Sequence, residues 1–454
     1  MKTPDTSLFN IDRLNTWYIY TPAILFLGIS LIISALAIFP AFSITQEIAI
    51  FLQIITLISL VAWGIVLSIH TYYTSKLSLA IGQTVLSKTF SEIMERKQII
   101  NSQVISPPVN PEELIAKRFS EAIAHLGSSQ IETRFAAIYV LERIARDCPK
   151  YHWTIMEILA AFIRENSPIN ADIEENLAKK IPTDIQTALT VIGRRNTLND
   201  LANHKLDLRD IDISGADLMD ANLGGAILIG ANLQWVNLIG ANLSSANLAD
   251  ANLCGAVLYE ANLRKATLTE ANLQEAVLRK VNLSKAVMCE ADLQGAMLYD
   301  ADLQDAILEN ANLEAAILCD TNLEGANLEG SNLFGANLIG SNLQGAKMIG
   351  ANLEGVLFST ANLQQANLYE ANLEQANFYE ANLEQTILTG TNLNQAILQK
   401  ARVFGADMTR CENLESQQLE LAFGDRTTLL PENLTIPENW CPNIADISLF
   451  ETET

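Results

Sequence analysis

At 454 residues the chain is longer than one ordinary domain, and its length fits about three. Its 49% hydrophobic content supplies ample apolar surface, while a formal net charge of −23 excludes ordinary nucleic-acid binding, because a phosphate backbone is held by Lys and Arg that displace its counterions. Cys148, Cys254, Cys289, Cys319, Cys411 and Cys441 are scattered without a C-x-x-C pair, and His70, His125, His152 and His204 are equally dispersed, so the thiols read as reduced and neither metal nor other cofactor is expected.

Residues 1–75 read as an N-terminal segment and a two-helix transmembrane hairpin. No charge falls between Leu14 and Gln46, where the apolar core runs from Ala23 to Phe39, and a second uncharged run spans Ile48 to Ile69. Each approaches the ~20 residues that a helix needs to cross a bilayer. Trp17, Tyr18 and Tyr20 before the first run, and Tyr72 and Tyr73 after the second, stand where an aromatic belt would. Lys2 and Arg13 precede the first run and Lys76, Lys88, Arg96 and Lys97 follow the second, which puts both termini in the cytoplasm. A cleaved signal peptide, with Ala35-Leu36-Ala37 as its small-residue site, is the competing reading. The second apolar run directly behind it favours the hairpin.

A juxtamembrane helix and a Pro-rich linker occupy 76–110, with Pro107 and Pro108 unable to continue a helix. From 111 to 200 a small α-helical domain is predicted. Pro111-Glu112-Glu113 opens its first helix; Ile131, Phe135, Ile138, Leu141 and Ala145 mark a second. Ile155, Ile158, Leu159 and Phe162 mark a third over about 152–165, and Thr183 caps a fourth that ends at Gly193. Such short helices with narrow apolar stripes must pack on one another, as a HEAT-type pair does.

At Leu206 the pattern changes. Apolar residues recur every fifth position from Leu208 to Met408, forty-one in succession, and from Ala216 onward a small residue, nearly always Ala, stands two residues before each, with an occasional Val, Thr or Ser. A period of five fits neither helix nor simple strand, but it does fit a solenoid whose wall turns a corner every five residues. The units, A-(N/D)-L-x-x, resemble the pentapeptide-repeat family over 206–408. That resemblance implies a mainly β fold, a right-handed quadrilateral β-helix with Ala and Leu inward and four pentapeptides per coil. About ten coils spaced ~4.8 Å apart would make a rod of about 48 Å. Asn and Asp before the Leu are placed to stack between coils. The remaining 409–454 read as a C-terminal cap and tail, with a short helix from Glu415 to Phe423 covering an end that would otherwise expose unpaired backbone. The stretches RFAAIYVLERIARDCPKYHWTIMEILAAFIRE, DIQTALTVIGRR and LAFGDRTTLLPENLTIPENW resemble bacterial members with two N-terminal membrane spans. No catalytic or ligand-binding residue is implied by that resemblance.

The expected function is that of a non-enzymatic scaffold, a rod anchored through two spans in the lipid bilayer and offered in the cytoplasm to an unidentified protein partner or to a second copy. The alternative comes from the resemblance, since some pentapeptide-repeat proteins bind DNA gyrase through an acidic surface. Residues 206–408 carry 25 Asp and Glu against 9 Lys and Arg, yet these acids share their columns with Gly, Gln and Lys. An enzyme is disfavoured, because a convex rod with a filled interior offers no concave pocket. Folding the repeat on twenty residues brings Val257, Val277, Met297 and Ile317 into one column. Tyr259, Arg279, Tyr299, Cys319 and Ile339 form a flanking outward one. This apolar and aromatic strip is the candidate partner-binding face; the competing reading is that β-branched residues merely suit strand backbone.

Overall fold

A computed structural model describes residues 110–169 and 181–440. The two expected membrane runs and the linker lie outside the described residues, as does the tail beyond Trp440. Among the described residues no helix is long and apolar enough to cross a membrane. The longest, Pro149–Asn166, has 18 residues and carries Lys150, Glu157, Arg164 and Glu165. The expected integral two-pass placement is corrected to that extent: no membrane-crossing helix is supported among the described residues. The lipid-bilayer partner, the cytoplasmic placement of both termini and the two-span subgroup are likewise without support.

Four helices precede the repeat. Helix α1 (Pro111–Leu126) opens where the Asn110 side chain accepts the Glu112 N–H at 3.1 Å, with Glu112 and Glu113 in its first turn. Helix α2 (Ile131–Asp147) buries Ala137, Ile138, Leu141, Ile144 and Ala145 along one stripe. Only Cys148 separates it from α3 (Pro149–Asn166), so the two form a tight hairpin. Helix α4 (Thr183–Gly193) packs Ile185, Leu189 and Ile192 against that hairpin's apolar side. Thr183 is its first helical residue rather than its cap, because Pro182, extended at ψ 139°, occupies the preceding position. Polar bonds fix the arrangement. Arg134 donates to Asp184 at 2.7 Å, while Asp200 bridges His152 (2.9 Å) and the Arg195 Nε (3.0 Å). His152, 2% exposed, is thus a packed structural group.

The solenoid follows from three properties of the repeat. All forty-one face-centre residues from Leu208 to Met408 are at most 2% exposed, so the period of five is the period of the core. Each coil takes twenty residues, as parallel pairings such as Val257↔Val277 and Asn322↔Asn342 show. At every corner a left-handed residue closes a turn. Gly215, at φ 68°, lets the Ala216 N–H reach the Ile213 carbonyl at 3.0 Å, as in a type II turn. Of the corners between 210 and 410, fifteen are Gly and twenty-six are not, so the turn tolerates side chains and leaves the corners free to vary.

Small residues are required because Ala and Leu share the interior. Where a hydroxyl replaces Ala it is bonded: Thr321 Oγ1 donates to the Leu298 carbonyl at 2.8 Å and Ser341 Oγ to the Leu338 carbonyl at 2.7 Å. The Asn columns behave as their composition predicts. Asn322 Nδ2 donates to Asp302 Oδ1 at 3.0 Å, Asn342 to Asn322 at 3.2 Å and Asn362 to Asn342 at 3.0 Å. Each Oδ1 also accepts the N–H two residues on, as Asn322 does from Glu324. Phe358 and Phe378 replace Leu on successive coils and stack at 5.1 Å.

Both ends of the stack are closed. The helical segment satisfies the free edge of the first coil on all four faces. Arg164 donates to the Asp207 carbonyl, and the Asp212 N–H donates to the Ser167 carbonyl at 2.7 Å. Gln186 accepts the Asp217 N–H at 2.9 Å and donates to the Asp217 carbonyl at 2.7 Å. The Asn222 N–H donates to the Gly193 carbonyl at 2.8 Å, and Arg195 donates to the Asn222 carbonyl. The helices are therefore the solenoid's N-terminal cap and share one core with it. At the other end Phe423 pairs with Arg402 and Leu429 with Asp407. The short helix α5 (Ser416–Glu420) sets Gln418 to donate to the Leu393 and Ala396 carbonyls at 3.0 and 2.8 Å. Trp440, 2% exposed, seals this end over Gly424.

Candidate interaction face

The strip named from the sequence is assembled on one face. Val257, Val277, Met297 and Ile317 pair in unbroken parallel succession, and the pairing meets Asn237 below and Asn337 above. The apolar column is thus bounded at both ends. Beside it the chain steps through Tyr259, Arg279, Tyr299, Cys319 and Ile339. Glu260 N–H donates to the Arg279 carbonyl (3.1 Å), Lys280 to that of Tyr299 (2.8 Å) and Asp320 to that of Ile339 (3.0 Å). All are half-buried except Ile339, at 38% exposure.

Stacking dries this face. Burial pushes the Tyr299 phenol up to about 12 and the Cys319 thiol up to about 11. Tyr259 is also raised, first by its hydrogen bond to Glu260. Arg279 has no hydrogen-bond partner at Nε, and its ion pair, with Asp300, spans 3.8 Å. The corner column bordering the strip is charged and exposed: Glu260, Lys280, Asp300 and Asp320. Sequence reasoning passed over Lys280 and Asp300, although the same twenty-residue fold places them. It also missed Trp235, 59% exposed on another corner, whose indole lies where a Cβ on Gly255 would stand.

The helical domain spends its hydrogen bonds to the solenoid on residues 207–222 and not on the strip's coils. Two shallow grooves on the helical cap are lined by groups already engaged. One holds Arg164 and Asp207, and the other the Lys150–Glu112 pair at 3.0 Å. Among the described residues no three His, Cys, Asp or Glu side chains converge as metal ligands.

A filled β-helix with both ends closed and one apolar outward strip defines a repeat scaffold. The chain belongs to the pentapeptide-repeat family: the model for pentapeptide repeats matches segments that together run from 207 to 412, and the chain is 31% identical to HetL over 89% of that protein. HetL, from the cyanobacterium Nostoc sp. strain PCC 7120, is described as involved in heterocyst differentiation regulation; the likeness covers 48% of this chain at a TM-score of 0.27. QnrB1, described as a plasmid-mediated fluoroquinolone resistance protein, is 17% identical over 39% of this chain and 90% of its own, with a TM-score of 0.29. Rfr23 of the cyanobacterium Cyanothece 51142 is 26% identical over 36% of this chain and 90% of its own, with a TM-score of 0.11. No curated protein matches the chain.

Proposed function

We propose that the protein is a non-enzymatic interaction module, whose solenoid holds the strip from Val257 to Ile339 rigidly toward another polypeptide. The observation that carries this reading is the bounded apolar column, flanked by two tyrosines and ended by Asn237 and Asn337. Strand preference alone would not place aromatic residues beside it on alternate coils, at Tyr259 and Tyr299, or stop it at both ends. The test is photocrosslinking from position 299, with Gln304 on a neighbouring polar face as the control. A defined adduct from 299 and none from 304 supports the reading. Equal labelling, or none, refutes it.

A second reading, imitation of nucleic acid toward an enzyme such as gyrase, draws on the rod's excess of acids. Five of its nine cations, however, lie between Arg264 and Lys285, which breaks the acidic surface with a basic coil. The added protein is therefore expected to leave gyrase supercoiling unchanged. Inhibition that grows with its concentration would restore the second reading.

A further inference from the structure

The strip has a symmetry that names its partner. The midpoint of the apolar column falls between Val277 and Met297. On the bordering corner Lys280 and Asp300 stand one on each side of nearly the same level, both exposed. Arg279 and Tyr299 are related in the same way in the column between. When two copies of a rod pack face to face about a two-fold axis across the rods, each column meets itself reversed. Val277 then faces Met297 of the other copy, Val257 faces Ile317, Arg279 faces the Tyr299 ring, and Lys280 faces Asp300. Each of the last two contacts occurs twice.

We propose that the strip docks a second copy of this chain in antiparallel register about that midpoint; the proposal rests on the interaction-module reading. It supplies Arg279, poorly satisfied within one chain, with an aromatic face and a second carboxylate nearby. Parallel pairing would instead seat Arg279 on the aliphatic column, burying a charge against Val277. One contact opposes the pairing: Glu260 would face Asp320, but both are exposed at the rim, where water and salt screen them. The apolar column covers four coils, ~19 Å at the ~4.8 Å layer spacing. Such a small interface predicts dissociation constants of about 1–100 µM.

Sedimentation of the full chain over that range tests the proposal. The wild type should dimerise. Lys280→Asp or Asp300→Lys alone should weaken the dimer about tenfold, and the two together should restore it. Register is read with a short bismaleimide that spans the ~10 Å between face-packed sheets, in a Cys319→Ser background. Val277→Cys mixed with Met297→Cys should crosslink more than Val277→Cys with itself. A monomer throughout, failure of the double swap to restore dimerisation, or preferred 277–277 crosslinking overturns the proposal. Should the chain stay monomeric while position 299 labels a different polypeptide, the second copy is refuted and the interaction module stands. Without any adduct both fail.

Discussion

Replacing Gln186 by Ala removes one side chain that serves two backbone groups on the solenoid's first edge. The Asp217 N–H and carbonyl lose partners at 2.9 and 2.7 Å in a partly buried setting. Two bonds at about 1 kcal/mol each, plus part of the cost of leaving both groups unpaired, give about 2–4 kcal/mol. In a stack where each coil contacts only its neighbours, this loss should appear locally. Hydrogen exchange resolved by residue is therefore the assay. The Asp217 and Asn237 amides should lose protection, while that of Leu303, bonded to the Asn322 carbonyl at 2.7 Å, should not. Gln186→Glu keeps the acceptor, loses the donor and should fall between. Uniform loss along the solenoid, or a change below about 0.5 kcal/mol at the first coil, would show that the helices are not its cap.

Leu303, fully buried at a face centre, should cost about 2–5 kcal/mol on change to Ala in urea unfolding, whereas Gln304→Asp should be nearly silent. Ala315 sits exposed at φ 54°, so Ala315→Gly should stabilise by about 0.5–1 kcal/mol despite glycine's larger unfolded-state entropy; destabilisation would mean that the corner carries no strain. Burial alone would raise the Asp407 carboxyl, but the Thr409 hydroxyl and amide that donate to it hold it below the usual carboxylate range. A depressed carboxyl stabilises above its unfolded value of about 3.9 and loses that contribution as pH falls through its folded value. Asp407→Asn should therefore lessen the acid loss of stability below about pH 4. With thiols near 11, Cys319 and Cys411 should hold roughly two hundred times less thiolate at pH 8 than a free cysteine and react with iodoacetamide correspondingly slowly.

The solenoid was legible because one rule, repeated from Leu208 to Met408, fixes both burial and register. The strip was legible for the same reason, once the chain was wound on twenty residues. The N-terminal cap was not. Nothing in the spelling of Gln186, Ser167 or Arg195 marks them as partners for a coil edge 27 to 45 residues away. Their roles come from tertiary placement, and short amphipathic helices suit many partners equally. The hairpin expectation lacks support for a different reason. Hydropathy counts apolar residues and supplies no geometry; the two runs lie outside the described residues, and the helices that are described are short and mixed in polarity.

The coil length is also a ruler for mutation. Inside and outside repeat every five residues, but neighbours along the rod are set by twenty. An in-frame deletion of one pentapeptide near 286–290 would leave every Leu and Ala inward and every coil hydrogen-bonded, yet everything beyond it would be offset by a quarter turn. Val257 and Val277 would remain on one face while Met297 and Ile317 moved to the next. Five-residue changes in length thus erase a surface while sparing the fold, and twenty-residue changes lengthen or shorten the rod while keeping its faces in line. Gains and losses of whole repeats give such a gene two separate dials, one for reach and one for recognition.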